Sequence, residues 1–130
     1  MAKPRSCFVV LIVLLMPMAV PCSKREAAID SFNRGVEASD EGDHDLAITC
    51  FTVAIRLNPG LVEAYYNRGF AYLHKGDLDK AVADFTEAIR LNPEVVEAYN
   101  NRGIAYEKNG DKAKAEADFA KAKELGYEPE

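Results

Sequence analysis

VEAYYNRGFAYLHKGDLDKAVADFTEAIRLNPEV, residues 62–95, runs straight into VEAYNNRGIAYEKNGDKAKAEADFAKAKELGY, residues 96–127. Laid one above the other, the two stretches keep a single register at a step of 34 residues. The register extends upstream. Asn-Arg-Gly stands at 33–35, 67–69 and 101–103, and Gly-Asp at 42–43, 76–77 and 110–111. Phe51, Phe85 and Phe119 keep the step, as do Ala47, Ala81 and Ala115, and Ala54, Ala88 and Ala122. Leu-Asn-Pro at 57–59 returns at 91–93 and becomes Leu-Gly-Tyr at 125–127 in the last copy. A fixed period of this length marks a repeat array, whose units stack because none can bury its apolar face alone. The units fall at about 28–61, 62–95 and 96–127.

Each unit reads as two helices. In the second unit Ala64, Tyr65, Arg68, Gly69 and Tyr72 recur at helical spacing, and so do Ala81, Val82, Phe85, Ala88 and Ile89. The pattern predicts one helix over Val62–Lys75 and another over Leu78–Leu91. Gly76 is placed to end the first, because glycine accepts the left-handed cap conformation. Asp77 is placed to start the second, its carboxylate accepting from free backbone N–H groups. Asn92 and Pro93 then stop the chain and turn it. Turns this short force the two helices antiparallel. A glycine inside a helix costs about 1 kcal/mol relative to alanine, so Gly35, Gly69 and Gly103 predict close helix approach, with Tyr72 and Phe85 filling the space around them. The predicted fold class is all-α, a helical-repeat solenoid of three antiparallel helix pairs over residues 26–127.

The unit resembles the tetratricopeptide repeat, whose motif is Trp-x2-Leu-Gly-x2-Tyr, then Ala-x3-Phe, then Pro. The second unit supplies Tyr65, Arg68, Gly69 and Tyr72, then Ala81 and Phe85, then Pro93. The third supplies Tyr99, Arg102, Gly103 and Tyr106, then Ala115 and Phe119. The first is weaker at its start, with Ser31, Arg34, Gly35 and Ala38 before Ala47, Phe51 and Pro59. Arginine replaces the motif's leucine in all three. The resemblance implies a right-handed superhelix with a concave face lined by the first helix of each pair. Ile48 and Val82 are matched by Glu116, and Ile55 and Ile89 by Lys123. A terminal repeat needs a polar outer face, so the third unit is expected to cap the array with no fourth repeat missing.

Residues 1–22 read as an address. Lys3 and Arg5 precede CFVVLIVLLMPMAV at 7–20, a run of fourteen uncharged residues closed by Lys24, Arg25 and Glu26. A spanning helix needs about 20 apolar residues, so the run suits a signal-peptide core, with an uncleaved membrane anchor as the alternative. Val20, Pro21 and Cys22 allow a cut ahead of Ser23, and they loosely match a lipoprotein signal in which Cys22 is lipidated, although Pro21 departs from it. The expected location is therefore exported (periplasmic, extracellular or secretory lumen), with contact to a membrane only through residues 7–20 or a lipid on Cys22. The whole chain of 130 residues carries a net charge of −5. Residues 23–130 lose Lys3 and Arg5 and keep every acidic residue, so their net charge is −7. That sign argues against a sequence-independent hold on nucleic acid. Cys50 is then alone, lies in an apolar stretch and reads as a buried thiol outside any disulfide.

No catalytic grouping stands out. His44 and His74 lie in different units, without a carboxylate or cysteine at metal-ligand spacing. The carboxylates read as solvated helix faces and caps, so neither an enzyme, a metal nor a cofactor is expected. The candidate binding residues are Asn33, Asn67 and Asn101, one per unit. In the family that place faces the groove, and an asparagine offers both donor and acceptor to a peptide backbone. The plainer alternative is that they cap or brace neighbouring helices. Flanking groove positions are Phe32 and Val36, then Glu63, Tyr66, Phe70 and His74, then Glu97, Asn100, Ile104 and Lys108. Some members of the family clamp a partner's C-terminal carboxylate with Lys, Arg and Asn. Here Phe32, Glu97 and Asn101 occupy the basic places, so no clamp is expected. The expected function is a non-enzymatic scaffold that binds a protein or peptide segment in its groove. Alternatives are a homo-oligomer assembled through Ile29 and Phe32 of the first helix, expected to begin at Glu26, or a membrane-tethered assembly factor.

Overall fold

The computed structural model describes residues 23–129. The signal or anchor reading of residues 1–22, with Cys22, lies outside the described residues. Six helices follow in chain order: α1 (Lys24–Asp40), α2 (His44–Leu57), α3 (Val62–Lys75), α4 (Leu78–Leu91), α5 (Val96–Lys108) and α6 (Lys112–Glu124). Among the described residues there is no strand, and the chain is an all-α solenoid. Each helix packs mainly on its chain neighbours, and α1 touches α3, as α3 touches α5. No described helix is long and apolar enough to cross a membrane.

The helix ends follow from local chemistry. The first helix begins two residues before Glu26, because Ser23 and Glu26 form a capping box. The Glu26 amide donates to Ser23 Oγ at 3.2 Å, and the Ser23 amide donates to Glu26 Oε2 at 3.0 Å. Asp43 and Asp111 accept from the amides of Leu46 and Lys114. Asp77 occupies the same place but its carboxylate makes no capping bond, against expectation. Gly76 ends α3 at φ 82°, in the left-handed region that favours glycine. Asn58 and Asn92 precede prolines and are extended, as that position requires, and their side-chain oxygens accept from the amides of Gly60 and Glu94.

Within a pair, a helix-interior glycine lies against a phenylalanine ring. A Cβ built on Gly35 would come within 2.6 Å of Phe51, and one on Gly103 within 2.7 Å of Phe119. Phe51 and Phe85 are fully buried. Around Phe85 lie Ala81, Ala88, Ala98 and Ala105, with Tyr65, Tyr66, Tyr72, Val82 and Ile89 packed over them. Phe119 is only half-buried, and Glu116 and Lys123 are exposed where Val82 and Ile89 pack inward. Cys50 is buried and free. Ile29 is 48% exposed, as are Leu46 at 45% and Val53 at 37%.

The arginine of the repeat has a structural task. Arg68 Nε and Nη2 donate to both carboxylate oxygens of Asp84 at 2.8 and 2.7 Å, and Nη1 donates to Thr52 Oγ1 of the preceding pair at 3.1 Å. Arg102 repeats this with Asp118 and Thr86. One guanidinium thus ties its own pair together bidentately and reaches back to the pair before. Asp84 and Asp118 are each only 6% exposed, so the expectation of solvated carboxylates fails at these two positions. In the first unit Cys50 stands where Asp84 and Asp118 stand, and Arg34 makes no ion pair among the described residues. Replacing Arg68 with leucine leaves Asp84 buried without its cation, which costs about 3 kcal/mol. The expected result is a much lower urea midpoint for Arg68→Leu and recovery of most of the loss in Arg68→Leu/Asp84→Ala. A double variant no better than the single one contradicts the pairing.

Candidate functional site

The groove residues share a stripe along α1, α3 and α5, at the repeat positions of residues 63, 66, 67, 70 and 74. That spacing keeps side chains on one side of a helix. None of the ten predicted residues is buried. Asn33 and His74 are exposed, and Phe32, Val36, Tyr66, Asn67, Phe70, Asn100, Asn101 and Ile104 are half-buried. Phe32 tilts against Phe51 with ring centroids 5.7 Å apart, and Val36 packs on the same cluster of Ala38, Ala47 and Phe51. These two therefore serve the core with one side and the stripe with the other.

The three asparagines do not act alike. The Asn67 amide nitrogen donates to the Glu63 carbonyl of its own helix at 2.8 Å. The Asn101 amide nitrogen donates to the Tyr66 hydroxyl at 2.9 Å, across the junction between the second and third units. Asn33 makes no side-chain hydrogen bond among the described residues. Bracing thus accounts for one donor of Asn67 and one of Asn101. Their carbonyl oxygens accept no bond among the described residues.

Two recesses open on the stripe. One of about 260 Å³ is lined by Val62, Glu63, Tyr66, Asn67, Asn92, Val95 and Glu97. The other, about 700 Å³, is lined by Asn100, Ile104, Phe119, Lys123, Gly126, Tyr127, Glu128 and Pro129. The smaller one has an acidic rim. Burial, then the Glu97 charge, holds the Tyr66 phenol above its ordinary pKa, and the hydrogen bond from Asn101 acts the other way.

Sequence reasoning left the histidines apart. In the fold the rings of His44 and His74 stack at 5.2 Å, nearly parallel, and Phe70 meets His74 edge-on at 4.4 Å. Lys75 pairs with Asp45 beside them. No group of three or more metal-ligating side chains occurs among the described residues, and two imidazoles alone fall short of the set that zinc takes. The stack joins the start of α2 to the end of α3, and no spacing rule within one helix reveals it.

Three family models match the chain. One described as "Tetratricopeptide repeat" matches residues 62–95, one described as "TPR repeat" matches 39–76, and a further "Tetratricopeptide repeat" matches 85–117. No curated protein sequence matches. Among solved structures, the Arabidopsis OM64 TPR domain is 31% identical, with a TM-score of 0.78 over 79% of this chain and 85% of that one. The second TPR domain of human RPAP3, in complex with the HSP70 peptide SGPTIEEVD, is 30% identical, with a TM-score of 0.77 over 79% and 86%. The first TPR of Spaghetti (RPAP3), bound to the HSP90 peptide SRMEEVD, is 26% identical, with a TM-score of 0.77 over 78% and 81%.

Removing the Glu97 charge takes away one cause of the raised Tyr66 pKa. In Glu97→Gln the Tyr66 phenol is expected to titrate at lower pH than in the parent protein. Ultraviolet titration, with Tyr66→Phe as the reference for the other tyrosines, reads this directly. An unchanged titration means that the carboxylate does not act on the phenol.

Proposed function

Because the chain belongs to the tetratricopeptide repeat family, we propose that it is a non-enzymatic interaction module holding an extended segment of another protein along the stripe of α1, α3 and α5. The observation that carries this reading is the half-buried stripe itself. Phe32, Tyr66, Phe70 and Ile104 recur along it with an asparagine in every unit, and recesses open between them. Apolar and aromatic groups gathered on one surface, with a few polar groups among them, suit a segment that lays side chains into pockets. The peptide complexes of the two RPAP3 domains lend support from the same fold.

The polar groups suit a partial hold on a peptide backbone. Asn67 and Asn101 each keep a carbonyl oxygen for an incoming N–H, and each such bond contributes about 1 kcal/mol net. The peptides held by those two domains end in Glu-Glu-Val-Asp. In this chain Phe32, Glu97 and Asn101 stand where basic clamp residues are wanted, so those three places offer a terminal carboxylate no cation.

The reading extends to an exported module, on the pattern of residues 1–22 alone. A cut ahead of Ser23 would leave the capping box of α1 complete. The amino terminus of the protein recovered from its native cells, read by mass spectrometry, is expected at Ser23, or at a lipid-modified Cys22. Recovery with Met1 or Ala2 in place contradicts cleavage.

Binding is measured against an array of short extended peptides. The array is expected to retain the parent protein, and Asn67→Ala/Asn101→Ala to lose most of the signal with its helix content unchanged by circular dichroism. Undiminished binding by that variant overturns the groove reading. SRMEEVD with a free terminus is expected to bind no better than its amide, and a large preference for the free acid contradicts the missing clamp.

A further inference from the structure

The recess at the junction of the second and third units differs in charge from the rest of the stripe. Glu63 and Glu97 hold the same repeat position, and in the first unit that position is Ile29. Both glutamates are exposed, and neither has a cationic partner among the described residues. The buried Asp84 and Asp118 are already matched by arginines within their pairs, whereas the exposed Glu94, next in sequence to Val95, is without a cationic partner among the described residues, as the two glutamates are. The walls between the two glutamates are Val62, Val95 and the ring of Tyr66.

The hydrogen-bond geometry has the same sense. The Glu63 backbone carbonyl can only accept, so it fixes the Asn67 nitrogen inward and turns the Asn67 oxygen away from that bond. Two glutamates and an asparagine then line one recess together with Val62, Val95 and Tyr66. A lysine or arginine suits such a place, because its methylene stem lies along apolar surface while its head stays polar. The Tyr66 ring offers a further attraction for a cation over its face. An aspartate or glutamate placed there meets like charge.

We propose that the groove selects a cationic segment, an extended stretch of partner chain that sets a lysine or arginine side chain between Glu63 and Glu97 and lays apolar side chains towards Ile29, Phe32 and Val36. This rests on the groove reading above and adds the partner's chemistry to it. Charge complementarity of this kind acts on both the rate and the choice of partner, and salt weakens it. The glutamates also sit in the first turns of α3 and α5, where negative charge suits the helix dipole. That local role does not require both glutamates to line one recess.

The test uses three pools of short peptides, acetylated and amidated, with small and apolar residues throughout and one central residue that is lysine, glutamine or glutamate. Fluorescence anisotropy against the whole chain at low salt is expected to show the lysine pool binding about tenfold tighter than the glutamine pool, and the glutamate pool weakest. The advantage shrinks as salt is raised. Glu63→Gln/Glu97→Gln, two exposed substitutions that leave the Glu63 carbonyl in place, is expected to erase the preference, so that the lysine and glutamine pools bind alike. Equal binding of the lysine and glutamine pools, or a preference that survives the double substitution, overturns the cationic proposal and leaves the groove reading standing. Failure of all three pools to bind overturns both.

Discussion

A missing side chain sets the geometry of the array. At Gly35, Gly69 and Gly103 the backbone of one helix lies so near a phenylalanine ring of the next that a methyl group would stand 2.6 to 3.0 Å from ring carbon. Protein interiors are packed as densely as organic crystals, and Phe51 and Phe85 have no exposed face to retreat to. The close approach therefore fixes how far apart the two helices of a pair lie and where along each other they cross. Alanines at the equivalent inner positions keep that spacing along the rest of the contact. Once the pair is set, the side of the first helix that turns from the core is set as well, and the stripe carrying the asparagines lies along it.

Packing of this kind governs distance, while the arginines govern register between pairs. Arg68 and Arg102 each join a carboxylate in their own pair to a threonine in the preceding one. The two acceptors are spatially fixed on different helices, so the planar guanidinium admits a narrow range of relative positions. The Asn101 to Tyr66 bond adds a link across the second junction, on the side of the stripe. Stability of the array is then local, a series of pair contacts and junction contacts. The recess lined by Glu63 and Glu97 lies at one of those junctions.

Most of the architecture was legible in the sequence because a repeat states each rule three times. Periodicity placed α3 and α4 at their observed bounds, and the glycines announced the close contacts. What stayed hidden depended on which residues from different units meet. Asp84 and Asp118 look like surface carboxylates until the arginines sixteen residues upstream are seen to reach them. Their own 34-residue step, with Thr52 and Thr86 keeping the same step, was the available signal. Ser23 and Glu26 form a capping box whose Ser-x-x-Glu pattern stands directly after the uncharged run and its cleavage signal. At the candidate site, the sequence located the stripe but not its hydrogen bonds. An asparagine written as donor and acceptor became, at two positions, a brace on one side and an acceptor on the other.

Cys50 in place of the repeated aspartate divides the array mechanically. The second pair gives a clasp through Arg68 and receives one at Thr86, whereas Arg34 in the first pair has no carboxylate to hold. The recess between Glu63 and Glu97 thus spans two pairs that each carry an internal ion pair. The apolar end at Ile29, Phe32 and Val36 sits on a pair with no ion pair of its own, tied to the second pair through Thr52 and Asp45. A segment entering the groove would meet one seat on pairs clasped by ion pairs and another on a pair without one. Ordering costs on binding fall where the site is preformed. Fidelity would then come from the second junction, and tolerance of varied sequences from the first pair.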